Sequence, residues 1–137
     1  NNVYSASANF MQSVYVENLG NNQFKLHPLP VKAQFAPVNS LLSDDFNGDG
    51  HLDILAAGNS YASEFLNGWY DASYGLLLAG DGKGNFTAVP AQESGFLTEG
   101  ETREMKIIKN TADDDLLLVG RNSLPLLIYR LNGTKSQ

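Results

Sequence analysis

The sequence has no cysteine, which excludes a disulfide framework and thiol catalysis. Basic residues are few: 9 Lys and Arg against 15 Asp and Glu give a net charge of -6. We therefore expect no nucleic-acid partner, because phosphate binding needs a basic face. No window reaches the ~18 apolar residues of a membrane helix, so we expect no membrane insertion. No signal peptide is evident, and because the chain begins with Asn1 we expect a processed chain or a piece of a longer one.

What the sequence does contain is typical of a folded domain rich in turns. Its 137 residues, 42% hydrophobic and 18% charged, are enough for one domain with a real core. No amphipathic helical pattern is present, and short apolar runs separated by Gly and Asn indicate strands. We predict an all-β fold with strands at 13–17, 23–27, 41–43, 54–57, 74–79, 85–89, 104–108, 116–119 and 126–130.

An oxygen-rich stretch, residues 45–54, lies between two of these strands. Its candidate metal ligands are the side chains of Asp45, Asn47, Asp49 and Asp53 and the backbone carbonyl of His51. Alternate residues of a tight loop can point inward, and hard oxygens at this density suit Ca²⁺, which takes 6–8 of them. Gly48 and Gly50 supply backbone angles that residues with a Cβ resist. The pattern predicts a calcium loop inside a β-hairpin.

Two other interpretations of this stretch compete with a calcium hairpin. An EF-hand needs helices on both sides and a bidentate Glu at its twelfth position, which here is Ala56. The EF-hand interpretation therefore fails. A carboxylate-rich turn that binds nothing stays open, because Asn, Asp and Gly favour turns anyway.

An internal repeat predicts the architecture. Three residue pairs share a spacing of 62: Phe24 and Phe86, Asp53 and Asp115, Gly58 and Gly120. A third copy of one element starts at Leu127, at a spacing of 51 (127 − 76) from the copy at Leu76. The unit is four short strands, as in propeller blades. We expect residues 1–137 to form one incomplete propeller of two to three four-stranded antiparallel blades: a partial blade at about 12–30, a complete blade at about 40–90 and a degenerate final blade at about 103–133.

Residues 45–54 (DFNGDGHLDI) followed by residues 75–86 (GLLLAGDGKGNF) resemble the FG-GAP/VCBS repeat family of β-propellers. These repeats are similar to the calcium-binding blades of integrin α-subunit heads. The resemblance covers roughly residues 12–133. Within the family, this stretch resembles in particular the C-terminal end of bacterial VCBS-repeat proteins of surface or secreted type. It implies calcium in the hairpin between a blade's first two strands. Asp45, Asn47, Asp49 and Asp53 each match a ligand position, and His51 matches the carbonyl position.

Other candidate sites are weaker. His27 and His51 have no Ser or Asp partner pattern, so we expect no catalytic triad and no enzyme. Residues 109–115 look like a worn copy of the calcium loop, with a Lys and an Ala near ligand positions, and we expect them to have lost the ion. Trp69 and Tyr70, with Tyr61 and Tyr74, form an aromatic group that either binds sugar or protein or covers a sheet edge.

The function predicted from these features is a calcium-stabilised propeller repeat module that binds protein or carbohydrate without catalysis. We expect it outside the cytosol, where calcium is plentiful. Its partners would be an unknown protein or glycan, and either the remaining blades of a longer chain or another copy. The alternatives are a fragment of a propeller enzyme whose catalytic residues lie in other blades, and a purely structural assembly unit.

Overall fold

The computed structural model describes residues 3–61, 68–109 and 115–131. The strands of this part are β1 (Val14–Gly20), β2 (Gln23–Pro28), β3 (Val38–Asp44), β4 (Asp53–Gly58), β5 (Leu76–Gly80), β6 (Phe86–Val89), β7 (Thr102–Ile108), β8 (Asp115–Arg121) and β9 (Leu127–Leu131). A 3-10 turn (Val31–Gln34) and a single helical turn, α1 (Ala91–Ser94), complete the elements. Within the described residues no helix is long and apolar enough to cross a membrane.

The strands form three antiparallel sheets. Sheet A is β1-β2, sheet B is β3-β4-β5-β6 and sheet C is β7-β8-β9. The predicted all-β class with propeller-type blades is confirmed. Each predicted strand is present, with ends that differ by up to three residues. Where a strand extends beyond its prediction, backbone pairing continues past the apolar side chains that indicated it.

Sheet A is a hairpin whose turn depends on asparagine. Asn21 and Asn22 have φ values of 49° and 59°, in the left-handed region that Asn tolerates better than most residues. The Asn18 side chain accepts a hydrogen bond from Gly20 N (2.9 Å) at the bulge before the turn. The local sequence therefore accounts for the turn without help from the rest of the fold.

Strand β4 lies inside sheet B and is covered on both faces. Leu55 and Ala57 point to one face and Ala56 to the other, and all three are at most 5% exposed. A strand buried on both faces needs apolar side chains at every position rather than at alternate ones. This is why residues 54–57 form an unbroken apolar run.

The main core lies between sheets B and C. Its buried members are Leu55, Ala57, Leu77, Phe96, Met105, Leu117 and Val119. Phe96, from the connection between β6 and β7, packs on Tyr129 with ring centroids 5.6 Å apart. Polar contacts join the neighbouring edges: Met105 N donates to Ser40 Oγ (2.8 Å), and Asn39 Nδ2 donates to Thr102 O (2.9 Å). Sheets B and C are thus held by apolar packing and by hydrogen bonds between their edges.

Sheet A packs on the opposite face of sheet B through one aromatic residue. The Tyr15 ring meets Phe86 edge-on, with centroids 5.8 Å apart. It also lies over Gly84, where an added Cβ would be 3.1 Å from Tyr15. Sheet B therefore contacts sheet A on one face and sheet C on the other.

The correspondence between sheets B and C is shown by one hydrogen bond that recurs in both. Asn59 N donates to Pro37 O (3.1 Å) and Asn122 N donates to Glu101 O (2.8 Å), and a β-bulge follows in each ladder. The offset from β4 to β8 is therefore 63 (122 − 59). The predicted spacing of 62 is wrong by one position here, because hydrogen-bond register, and not similar residue letters, sets the correspondence.

We predict that the two glycines matched by the spacing of 62 differ in their tolerance of Ala. A Cβ at Gly58 would lie 1.7 Å from Pro37 O, whereas the nearest neighbour of a Cβ at Gly120 is 3.5 Å away. Gly58→Ala should lower the free energy of unfolding by about 2 kcal/mol or more. Gly120→Ala should be neutral or stabilise by up to about 1 kcal/mol. Urea unfolding of both variants checks this, and equal effects would contradict it.

Candidate metal site

The oxygen-rich loop joins β3 to β4 at one end of sheet B and comprises residues 45–52. Gly48 and Gly50 have φ values of 80° and 85°, in the left-handed region that favours glycine. No atom lies within 4 Å of a Cβ built on Gly50. The backbone angle, and not lack of space, therefore requires glycine at that position.

Asp45 organises the loop by accepting hydrogen bonds from its backbone. Its Oδ1 accepts from Gly48 N (2.7 Å) and Asp49 N (3.2 Å), and its Oδ2 accepts from Gly50 N (2.9 Å). These donors, Gly50 N first, lower the pKa of Asp45 below its usual value of 3.8. The loop therefore solvates the Asp45 charge with its own N–H groups.

Asn47 and Asp49 continue the same pattern. Asn47 Oδ1 accepts from Asp49 N (2.8 Å), and the Asn47 amide donates to Asp49 Oδ2 (3.0 Å). Asp49 Oδ1 accepts from His51 N (2.8 Å). The structure thus brings Asp45, Asn47 and Asp49 together in one hydrogen-bonded loop.

Asp53 is fully buried, with 0% of its surface exposed. Its Oδ2 accepts from Phe46 N (3.0 Å) and its Oδ1 accepts from Gly80 N (2.9 Å). One carboxylate therefore ties the start of the loop to the end of β5, across 27 residues of sequence. Gly80 is needed at this contact because a Cβ there would lie 2.2 Å from Leu52 O.

His51 packs on the turn that joins β5 to β6. A Cβ on Gly82 would lie 2.5 Å from His51 Nδ1, so the imidazole rests directly against that glycine. In the same turn Asp81 accepts hydrogen bonds from the Asn85 side chain (2.7 Å) and from Lys83 N (2.8 Å). These bonds, that from the Asn85 side chain first, lower the pKa of Asp81 to about 2. Ligation by the His51 carbonyl stays a prediction.

Within the described ranges, no group of three or more His, Cys, Asp and Glu side chains is arranged to hold a metal ion. The carboxylates of Asp45 and Asp49 instead accept hydrogen bonds from their own loop. The chemistry of the donor set nonetheless fits calcium, because carboxylate and amide oxygens are the hard ligands it prefers. A carboxylate oxygen with one hydrogen bond also keeps a second lone pair.

Sheet C ends differently from sheet B at the corresponding place. The last pair of the β3–β4 ladder is Asp44 and Asp53, whereas the last pair of the β7–β8 ladder is Ile108 and Leu116. The Leu116 side chain has no oxygen with which to accept backbone N–H groups as Asp53 does. The side chain that anchors the loop of sheet B therefore has no acidic counterpart in sheet C.

A lysine ammonium lies between the two sheets at this end. Lys109 Nζ is 2.8 Å from Asp115 Oδ2 and 3.6 Å from Asp44 Oδ2. Its hydrogen bond and charge interaction with Asp115 raise the pKa of Lys109. Most of the predicted worn loop, residues 110–114, lies outside the described residues. The described end of that loop thus contains a cationic side chain beside its carboxylate.

Three members of the aromatic group, Trp69, Tyr70 and Tyr74, are exposed, and Tyr61 is half-buried. The Tyr61 and Trp69 rings are stacked, with centroids 4.7 Å apart and planes 26° apart. Two backbone hydrogen bonds between Ser60 and Tyr70, both 2.9 Å, hold the flanking residues together. Trp69 and Tyr74 are 65% and 56% exposed, so more than half of the surface of each of these two side chains faces solvent. The intervening residues 62–67 lie outside the described part.

Sheets of two, four and three antiparallel strands, with an oxygen-rich loop after the first strand of the four-stranded sheet, define an all-β protein of β-propeller repeat type. The family model of the FG-GAP repeat matches residues 38–78. The match begins with β3, includes the whole oxygen-rich loop and ends within β5, so this part of the chain is similar to an FG-GAP repeat. Searches of curated proteins and of solved structures found no match.

Three residues that position the site were missed by sequence reasoning. Gly80 N donates a hydrogen bond to Asp53 Oδ1. Ser40 Oγ accepts one from Met105 N and so joins β3 to β7, and Lys109 Nζ lies 3.6 Å from Asp44 Oδ2. Gly80 could have been found, because it follows a strand in a repeated Gly-rich turn. No pattern in the sequence indicates the other two, since both contacts depend on how sheets B and C are placed.

We predict that Asp53→Asn lowers the free energy of unfolding by about 2–3 kcal/mol. The Asn amide nitrogen cannot accept a hydrogen bond, so Phe46 N or Gly80 N loses its partner in a buried place. The exposed Asp71 offers a matched control, and Asp71→Asn should change stability by less than about 0.5 kcal/mol. Chemical unfolding measures both, and a similar small effect for the two variants would contradict the prediction.

The lowered pKa of Asp45 predicts a pH dependence of its contribution to stability. A carboxyl group with a lowered pKa in the folded state stabilises the fold above its unfolded pKa, near 3.8, and this contribution is lost as the pH falls through the lower folded value. The wild type should therefore melt above Asp45→Asn at neutral pH, and the two melting temperatures should converge in acid. A constant difference between pH 6 and about pH 2 would show that the Asp45 charge has no such role.

Proposed function

We propose that the chain is a calcium-stabilised β-propeller repeat module that acts by binding and not by catalysis. The observation that carries the proposal is the loop at Asp45, Asn47 and Asp49, with the buried Asp53 behind it. Three oxygen-bearing side chains meet in one turn, with glycine at both positions that need positive φ. The stretch similar to an FG-GAP repeat contains this whole loop.

Calcium would be held by the side chains of Asp45, Asn47, Asp49 and Asp53 and by the carbonyl of His51. The ion would supply positive charge to a turn that also has Asp44 beside it. Four carboxylates within ten residues repel one another, and this repulsion weakens when a divalent cation binds. A cation that binds only the folded state stabilises it by mass action.

The position of the loop supports a structural role for the ion. Asp53 already joins the loop to the end of β5 through Gly80 N, and Lys109 of sheet C approaches Asp44 at the same end. An ion in this loop would stiffen the corner where sheets B and C meet. The exposed aromatic group around Trp69 is a better candidate for contact with a protein or glycan, because its rings face solvent.

The histidines give no support to a catalytic role. His27 Nε2 is 2.8 Å from Glu17 Oε2 and its ring packs on Tyr15, while His51 rests on Gly82. In the described residues neither imidazole is paired with a Ser or Thr hydroxyl that it could activate. We therefore propose a binding module, with an enzyme whose catalytic residues lie in further blades as the alternative.

The cellular setting is part of the proposal. FG-GAP-like repeats with a calcium loop suit a compartment rich in calcium, so we propose an extracytoplasmic location: secreted, periplasmic or on the cell surface. We also propose the VCBS subtype and a bacterial source, on the resemblance of residues 45–54 and 75–86. Further partners would be additional blades or another copy of the chain.

A calcium-dependent melt tests the proposal. Excess CaCl₂ should raise the melting temperature of the chain relative to EDTA, and Asp49→Ala should abolish the shift. Asp71→Ala is the matched control and should keep the shift, because Asp71 lies outside the loop. Isothermal titration of Ca²⁺ into the metal-free protein provides a second readout. No shift with Ca²⁺, or an equal shift in Asp49→Ala, would overturn the proposal.

A further inference from the structure

The described residues leave apolar side chains exposed on one sheet face at each end of the array of sheets. The outer face of sheet A consists of Val16, Phe24 and Leu26, which are 50%, 61% and 50% exposed. The outer face of sheet C includes Ile108, Leu126 and Ile128, which are 45%, 54% and 61% exposed. Exposed apolar side chains grouped on one sheet face mark an interaction surface more often than isolated ones do.

The repeat shows what covers the first of these faces elsewhere in the molecule. Val16 pairs with Leu26 in sheet A and Leu78 pairs with Ala88 in sheet B, at an offset of 62 for both positions (78 − 16, 88 − 26). Leu78 is 0% exposed. The positions that are exposed in sheet A are therefore buried or half-buried in sheet B.

The inner face of sheet A contacts this face of sheet B. Phe86 is the counterpart of Phe24 (86 − 24 = 62) and packs edge-on against Tyr15, with ring centroids 5.8 Å apart. Tyr15 corresponds in turn to Leu77, which is 8% exposed and belongs to the core shared with sheet C. In both contacts the face of a sheet that carries Tyr15 or Leu77, here called its leading face, packs on the next sheet along the chain. The face of that next sheet which receives it is called the trailing face. The same contact thus occurs twice within the chain.

The outer face of sheet C is the unused copy of the leading face. Ile128 stands at an offset of 51 from Leu77 (128 − 77), the spacing that relates β9 to β5, and it pairs with Leu118 as Leu77 pairs with Leu55. Tyr15, Leu77 and Ile128 therefore occupy one repeat position. The first two are covered by the following sheet, whereas Ile128 faces solvent in the described structure.

We propose that two copies of this chain associate head to tail, with the outer face of sheet C of one copy packed on the outer face of sheet A of the other. The two faces are the halves of an interface that the chain already builds twice. Glu104, Lys106 and Arg130 lie on the same face of sheet C as Ile108 and Ile128, so the contact would include the aliphatic parts of these charged side chains. A head-to-tail interface uses different patches on the two copies, so it closes a ring or continues as an open chain.

Sedimentation velocity of the 137-residue chain over a concentration series tests this. The weight-average mass of the wild type should equal that of a monomer at low concentration and should rise as the protein concentration increases. Phe24→Asp removes one face and Ile128→Asp removes the other, so each variant alone should stay monomeric. A mixture of the two should form dimers, because each variant keeps the face that the other lacks. Val31→Asp, at a residue 68% exposed in the 3-10 turn, should associate as the wild type does.

Each other outcome overturns the proposal. A wild type that stays monomeric up to its solubility limit would show that another occupant, such as a further blade, is needed. Association of either single variant, or no dimer in the mixture, would show that the two faces do not meet. Circular dichroism checks folding, and if Phe24→Asp melts below Val31→Asp, Leu26→Glu replaces it on the same face.

Discussion

The two hydrogen bonds accepted by the buried Asp53 carboxylate are the contacts on which the loop end of sheet B depends. The carboxylate accepts hydrogen bonds from Phe46 N and Gly80 N and is fully enclosed. These two bonds set where the oxygen-rich loop starts and how close β5 approaches, which in turn requires glycine at position 80. A charged group without solvent is tolerated only when hydrogen-bonded, so loop, strand and turn must keep these positions together.

Much of this arrangement follows from local chemistry and was predictable. Asn21 and Asn22 define the turn of sheet A, unbroken apolar residues define the buried β4, and Gly48 and Gly50 define the loop. The all-β class and the division into repeated sheets follow from such patterns alone. Calcium ligation by Asp45, Asn47, Asp49, Asp53 and the His51 carbonyl stays a prediction, since the described carboxylates are engaged by backbone N–H groups.

The register between sheets B and C could not be predicted from spacing, and the reason is physical. The Asp and Gly positions at a spacing of 62 look alike, but the hydrogen bonds of Asn59 and Asn122 give an offset of 63 (122 − 59). In a strand, a shift of one residue moves every side chain to the other face. Leu116 and not Asp115 therefore takes the place of Asp53. The contacts of Ser40 and Lys109 depend in the same way on the relation between sheets, so they could not be read from the sequence.

The backbone N–H groups that surround Asp45 have a consequence for any cation that enters the loop. The N–H groups of Gly48, Asp49 and Gly50 already solvate part of the negative charge of the turn. A cation that enters the loop must displace these N–H groups or share the carboxylate oxygens with them. Its net affinity is therefore the free energy gained from binding the oxygens minus the free energy of the hydrogen bonds that are weakened or lost.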